Sequence, residues 1–179
     1  MEHPRVVWKF DGADKISDGD YIDVFSDSDW AGDKISRRST SGGVASISGG
    51  AIKHWGSTQG TIAMSSGEAE YYALVKSAAE GLGLQSLAKD LGYEMKVRIW
   101  VDSSSALAIV SRLGLGRVRH MEVKYLWAQE AHKNHRFCVR KVNGPKNPAD
   151  VLTKPQSAVD MSEKMKTVGG TIVRRLRQA

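Results

Sequence analysis

Cysteine is almost absent from this sequence, since Cys138 is the only one among 179 residues. A single cysteine cannot form a disulfide within the chain, which fits a reducing compartment or a protein indifferent to redox conditions. Long hydrophobic runs are also lacking, and without a run of roughly 18 apolar residues we expect no membrane-spanning helix. Residues 1–5 show no apolar signal-peptide core, so we expect no secretion.

Acidic residues are outnumbered by basic ones, with 20 Asp and Glu against 26 Lys and Arg and a formal net charge of +6. This balance favours a polyanionic partner such as nucleic acid. The hydrophobic fraction of 41% and the charged fraction of 26% are typical of a globular protein. The length suits one domain with a hydrophobic core.

The first half of the chain has strand patterns followed by a helix pattern. Ser65 and Glu68 resemble a capping box, which predicts a helix that continues towards Leu91 and stops at Gly92. Within that helix, Gly81 and Gly83 weaken the middle. The Gly49-Gly50 pair indicates a hairpin turn between two strands. The strand candidates are residues 21–26, 43–48, 51–55 and 61–64.

The second half alternates strand and helix patterns, which predicts an α/β fold with one mixed sheet. Asn147 and Pro148 mark the start of a last helix. We divide the chain into a lead-in at 1–20, a domain at 21–156 and a basic extension at 157–179. The further predicted elements are strands at 97–101 and 136–142 and helices at 106–113 and 122–132.

Four acidic residues lie where a shared site could form. Asp27 ends the first strand and Asp102 follows the strand at 97–101, while Glu70 and Asp150 lie near helix starts. Active sites of open α/β sheets lie outside the carboxyl ends of their strands. Crowded carboxylates repel one another unless a cation intervenes, and their oxygens suit Mg²⁺ or Mn²⁺. Each acid taken singly is also explained as a helix cap or a favourable charge on the helix dipole.

Several segments, in order and at compatible spacing, resemble the ribonuclease H domain of copia-class retrotransposon polyproteins. The resemblance covers residues 21–155. The segments are SDSDWAGD at 26–33, RSTSGG at 38–43, AMSSGEAEYYAL at 63–74, VDSSSA at 101–106, RHME at 119–122 and NPADVLTKP at 147–155.

This resemblance implies a ribonuclease H-like five-stranded mixed sheet of order 3-2-1-4-5. It also implies an Asp-Glu-Asp-Asp site that binds two Mg²⁺, with Mn²⁺ as a substitute. Matched one by one, those acids are Asp27, Glu70, Asp102 and Asp150. The implied activity is cutting of the RNA strand of RNA–DNA hybrids, leaving 5′-phosphate and 3′-hydroxyl ends.

Two of these assignments have competitors. Asp29 lies two residues after Asp27, so both would face the same side of a strand. We favour Asp27 because it directly ends the apolar strand. Glu68 competes with Glu70, but the two point to different sides of a helix. The capping box accounts for Glu68, which leaves Glu70 for a metal.

Further residues are weaker candidates for contact with substrate. Basic and hydroxyl side chains after Asp27 could hold phosphates, and an equally good interpretation is a solvated loop. His120 could contact substrate or begin a helix. These candidates are Asp29, Arg38, Ser39, Thr40, Ser103, Arg119 and His120.

The resemblance also implies partners and a compartment. They are an RNA–DNA hybrid, a reverse transcriptase domain of the same polyprotein and a cytoplasmic, virus-like particle. Many cellular ribonucleases H carry a histidine shortly before the last Asp, and residues 142–147 contain none. The alternative function is a catalytically weak or degenerate domain that binds hybrid and supports a reverse transcriptase.

Overall fold

A five-stranded mixed sheet is the centre of the computed structural model, which describes residues 5–8, 20–116 and 120–173. Helices α1 to α4 and a separate two-stranded sheet accompany it. The strands are β1 (Arg5–Trp8), β2 (Tyr21–Asp29), β3 (Thr40–Ile47), β4 (Gly50–Thr58), β5 (Lys96–Val101), β6 (Cys138–Lys141) and β7 (Gly170–Val173). The helices are α1 (Ser66–Asp90), α2 (Ser104–Val110), α3 (Trp127–Lys133) and α4 (Ala158–Lys166), with 3-10 turns at Val123–Tyr125, Gly144–Lys146 and Pro148–Leu152.

The sheet order is β4-β3-β2-β5-β6, which confirms the predicted order 3-2-1-4-5. Strands β2, β3 and β4 form an antiparallel meander, while β5 and β6 run parallel to β2. The central strand β2 alternates half-buried and buried residues until Ser26, where three consecutive residues become buried. This change marks the end of the strand where its polar side chains turn inward.

Helix α1 begins as predicted, because the Ser65 hydroxyl accepts the backbone N–H of Glu68. The helix ends before Gly92, whose φ of 88° suits glycine. Its buried face, with Tyr71 and Leu74, packs with Ile22 and Ile99 of the sheet in the main core. Within the described ranges, no helix is both long enough and apolar enough to cross a membrane.

Two predictions of local structure are wrong, and the predicted hairpin turn is displaced by one residue. The hairpin turn uses Ser48 and Gly49, both at positive φ, so that Gly50 already pairs with Ile47. Residues 61–64 form no strand, because the chain leaves the sheet after Gln59 to reach α1. The helix predicted at 122–132 divides into a 3-10 turn and α3.

The segments before and after the predicted domain contain a pair of strands that the sequence patterns did not reveal. Strand β1 pairs antiparallel with β7. Between α4 and β7, the buried Val168 packs with Val44 and Ala51, and its carbonyl accepts the Ala51 N–H at 2.9 Å. The C-terminal extension is therefore attached to the β3–β4 side of the main sheet.

Two glycines of α1 give a matched test of this packing. A Cβ at Gly81 would lie 2.8 Å from Val97 and 3.1 Å from Val24, whereas one at Gly83 would meet nothing within 4 Å. We expect Gly81→Ala to lower the free energy of unfolding by about 1–3 kcal/mol through overpacking. Gly83→Ala should raise it by about 0.5–1 kcal/mol through helix propensity. Urea unfolding measures both, and equal effects would contradict this packing.

Candidate active site

Three carboxylates meet at one edge of the sheet. Ser26 of β2 pairs with Val101 of the parallel strand β5, so Asp27 and Asp102 follow at the same level. Glu70, in the second turn of α1, approaches the same point. One oxygen from each of the three groups lies within 4.8 Å of the others. The structure thus brings together three of the four predicted acids, and they form an oxygen-rich group that could hold a metal ion.

Two oxygens of this cluster are buried without a partner. Asp27 is fully buried, and its Oδ1 accepts no hydrogen bond within the described part of the chain. The same holds for Oε2 of Glu70. Buried carboxylate oxygens are normally hydrogen-bonded, because their desolvation is costly. A cation between these carboxylates would satisfy both atoms.

The surroundings of the acids disfavour their charged forms. Burial raises the pKa of Glu70 to about 8, and the neighbouring Asp27 and Asp102 add to this effect. Burial also raises the pKa of Asp27 to about 6, although the Thr153 hydroxyl and the Lys154 ammonium oppose the shift. Without a counterion, Glu70 therefore keeps its proton at neutral pH, and Asp27 loses its proton at a higher pH than an ordinary Asp carboxyl does.

Asp150, the fourth predicted acid, lies next to the cluster but has other partners. The Lys154 ammonium is 2.9 Å from its Oδ1 and 3.4 Å from Oδ2 of Asp27, so this lysine bridges the two acids. Burial alone would raise the pKa of the Asp150 carboxyl. Hydrogen bonds from Lys164 and Lys154 outweigh this effect of burial and hold the pKa below its ordinary value.

A buried lysine from the C-terminal extension anchors Asp150. Lys164 of α4 is 7% exposed, and its ammonium donates to Oδ2 of Asp150 and, at 3.0 Å, to Oε1 of Gln156. The Gln156 amide also donates to Asp150, at 2.8 Å. Both Asp150 oxygens are therefore occupied by groups that lie C-terminal to it in the chain.

The 3-10 turn that carries Asp150 is held against β2. The buried Asn147 caps the turn by accepting the Ala149 N–H, and its amide donates to the Ser26 carbonyl at 2.9 Å. The Thr153 hydroxyl donates to Oδ2 of Asp27. A Cβ at Gly42, the β3 partner of Asp27, would lie 2.6 Å from Thr153, so glycine is needed for this close approach.

The two competing acids have structural partners. Oδ1 of Asp29 accepts the backbone N–H of Thr40 at the start of β3. Glu68 is 1% exposed and accepts from the Tyr72 hydroxyl and the Met64 N–H, while His120 lies 2.8 Å from it. Neither acid belongs to the three-carboxylate group. The capping box is only half formed. The Ser65 hydroxyl accepts the Glu68 N–H, but the Glu68 carboxylate accepts the N–H of Met64 rather than that of Ser65.

The weaker substrate candidates fall into different places. Ser39 is fully buried and its hydroxyl accepts the Ala31 N–H, so its side chain is not available to a substrate in this structure. Ser103 caps α2. Arg38 is exposed on the loop before β3, and His120 faces Glu68. Arg119 lies outside the described residues.

Three residues around the acids received no role from the sequence. Thr153 and Lys154 stand within the segment NPADVLTKP, but the resemblance attaches no chemistry to them. The contact of Lys154 with Asp150 could have been predicted from the sequence, because a residue four positions after another lies within its reach on a helical turn. Lys164 belongs to no motif, and only the packing of α4 reveals its contact with Asp150.

The raised pKa values predict how metal-free stability depends on pH. The folded protein binds more protons at Asp27 and Glu70 than the unfolded chain does, so its stability falls as pH rises from 5 to 8. We expect a loss on the order of 1–3 kcal/mol, reversed by Mg²⁺. Thermal unfolding in chelator and in Mg²⁺ measures it. Glu70→Gln should reduce the loss, and unchanged stability in the wild type would contradict these shifts.

The anchor on Asp150 has a matched control within the same helix. Lys164→Met removes a buried charged hydrogen bond and should lower the free energy of unfolding by about 1–3 kcal/mol. Lys166→Met changes an exposed lysine two residues away and should stay within about 0.5 kcal/mol of the wild type. Denaturant unfolding compares the two variants. Equal stability would show that the Lys164 contact contributes nothing.

Comparison with known proteins supports the resemblance seen in the motifs. The chain is 34% identical over 147 residues to a retrovirus-related Pol polyprotein from transposon TNT 1-94 of Nicotiana tabacum. It is 27% identical over 155 residues to one from transposon RE1 of Arabidopsis thaliana. These matches cover 81% and 85% of the chain, but in each case only 11% of the relative's length. No protein-family model matches the chain.

The fold is similar to a solved ribonuclease H structure. LC11-RNase H1, isolated from compost by a metagenomic approach, matches with a TM-score of 0.52 at 20% identity. The match covers 75% of this chain and 93% of that one. The relatives show that the chain is similar to part of retrotransposon Pol polyproteins, and the sheet order and the structural match show that it has a ribonuclease H-like fold.

Proposed function

We propose that this domain hydrolyses the RNA strand of RNA–DNA hybrids with the help of two Mg²⁺, which Mn²⁺ can replace. The products are 5′-phosphate and 3′-hydroxyl ends. The observation that carries the proposal is the convergence of Asp27, Glu70 and Asp102 within 4.8 Å. A domain that only bound hybrid would have no need to crowd like charges at one point.

The cluster fits a hard divalent cation. All its potential ligands are carboxylate oxygens, which Mg²⁺ and Mn²⁺ prefer over softer donors. Two of these oxygens, on Asp27 and Glu70, are buried and lack partners in the described residues. We assign Asp27, Glu70 and Asp102 to the first ion and propose that Asp150 joins Asp27 in holding the second.

The residues have distinct roles in the proposed reaction. The bound ions would supply Lewis-acid chemistry at the scissile phosphate. Asp27 is central, since it belongs to the cluster and also meets Lys154 near Asp150. Its rigid place in the hydrogen-bonded strand β2 fixes the cluster against the sheet. Glu70 arrives from α1, so the helix sets how closely the third carboxylate approaches.

Substrate choice follows from charge and from the ribose. The net charge of +6 attracts a nucleic-acid backbone in a sequence-independent way. A hybrid differs from DNA by the 2′-hydroxyls of one strand, which a protein can hydrogen-bond. The relatives are Pol polyproteins of which this chain matches a small part. We therefore propose a reverse transcriptase domain of the same polyprotein as its partner.

Cleavage of a strand-labelled RNA–DNA hybrid tests the proposal. Asp102→Asn keeps the shape of the side chain but removes its charge, so we expect a loss of at least about 10³-fold in the cleavage rate. Asp90→Asn is the control, since Asp90 is exposed at the far end of α1, about 30 Å along the helix from Glu70. It should cut at the wild-type rate.

Each outcome separates the proposal from its rivals. Metal-dependent loss of only the RNA strand, absent in Asp102→Asn, supports a ribonuclease H. Cutting of a DNA duplex would instead indicate a DNA nuclease or transferase on the same fold. Hybrid binding without cleavage, with and without an added polymerase domain, would favour a domain that only binds hybrid.

A further inference from the structure

The second cation position next to Asp27 already contains a positive charge. The Lys154 ammonium lies 3.4 Å from Oδ2 of Asp27 and 2.9 Å from Oδ1 of Asp150, the two acids that the proposed function assigns to a second ion. Within the described residues, the other two carboxylates of the cluster, Glu70 and Asp102, form no salt bridge, although the Lys154 charge also acts on Glu70. The two cation positions of this domain are therefore unequal before any substrate arrives.

We infer that Lys154 is an internal counterion that competes with the second divalent ion for Asp27 and Asp150. The inference rests on the proposed function and deepens it. The metal-free domain then offers one open cation position, at Asp27, Glu70 and Asp102. The second becomes available only when the Lys154 ammonium moves away.

The two oxygens of Asp27 differ in the same way as the two cation positions, because among the described residues one has a positive partner and the other has none. Its Oδ2 accepts from the Thr153 hydroxyl and meets Lys154, whereas its Oδ1 is buried and has no partner within the described residues. Oδ1 and the unpartnered Oε2 of Glu70 together indicate the open position. The oxygen that faces Lys154 is satisfied without any metal.

Lys154 is free to exchange, while the acids it bridges are fixed. The Lys154 side chain is 45% exposed, and its flexible stem can move the ammonium into solvent. Asp27 is fully buried, and Asp150 is held on its other oxygen by the buried Lys164 and by Gln156. Withdrawal of Lys154 would leave these two carboxylates in place for an ion.

A phosphate group of the hybrid is a natural acceptor for the displaced ammonium. Lysine is a flexible point charge that pairs with phosphate oxygens. Binding of the hybrid would then draw the Lys154 ammonium away from Asp27 and Asp150.

Mn²⁺ titration of the metal-free protein tests this inference without any cleavage. Isothermal titration calorimetry and the electron paramagnetic resonance signal of free Mn²⁺ both report the number of bound ions. We expect one tight and one weak Mn²⁺ in the wild type. In Lys154→Met the second Mn²⁺ should bind about tenfold tighter or more, because its competitor is gone.

Two variants make the result specific to this charge. Lys53→Met is the matched control, since Lys53 is also 45% exposed and pairs at 2.5 Å with Glu80, another carboxylate. It should leave both Mn²⁺ affinities unchanged. Lys154→Arg retains the cation and should keep the second Mn²⁺ weak, which also shows whether position 154 tolerates substitution.

Several results would overturn the inference. They are equal affinity for two Mn²⁺ in the wild type, an unchanged second affinity in Lys154→Met, or a weaker one. Failure of the proposed function gives a different result, namely absence of hybrid cleavage while the Mn²⁺ isotherms still differ between the wild type and Lys154→Met.

Discussion

The constraint on which the site depends is the repulsion among carboxylates that the sheet holds together. The parallel register of β2 and β5 places Asp27 and Asp102 side by side, and α1 adds Glu70 to them. Backbone hydrogen bonds fix these strands, so the backbone positions of Asp27 and Asp102 stay close to each other. The repulsion must be relieved by protons, by a metal ion or by Lys154. The raised pKa values of Asp27 and Glu70 correspond to relief by protons. The proposed function depends on relief by a metal ion.

The C-terminal part of the chain provides a different solution at Asp150. Lys154 and Lys164 both pair with this carboxylate, and Lys164 reaches it from α4. Val168, just after α4, packs against β3 and β4, so the extension is connected to the same sheet that carries Asp27. The segment after residue 156 thus helps to place the fourth acid. The same segment packs against the sheet through Val168 and pairs with Asp150 through Lys164.

The sequence patterns predicted the parts of this architecture that depend on short-range signals. Ser65 and Gly92 marked the limits of α1, and the order of the strands followed from the motifs. The strand predicted at residues 61–64 was wrong. The alternation of these residues resembles a strand, yet the chain must turn there to reach α1. The convergence of Asp27, Glu70 and Asp102 was expected from strand ends and from the resemblance. The contact of Lys164 with Asp150 depends on how α4 packs, which no local pattern encodes. The division of the chain at residues 20 and 156 stays a prediction.

The central claim is that the three-carboxylate cluster binds a divalent ion. Paramagnetic broadening by Mn²⁺ tests it most directly, because bound Mn²⁺ removes the amide signals nearest to it from a two-dimensional NMR spectrum. Substoichiometric Mn²⁺ should first broaden the amides around Asp27, Glu70 and Asp102, and Asp102→Asn should weaken this effect. Broadening centred elsewhere, or spread evenly over exposed acids such as Asp90 and Asp160, would contradict the claim.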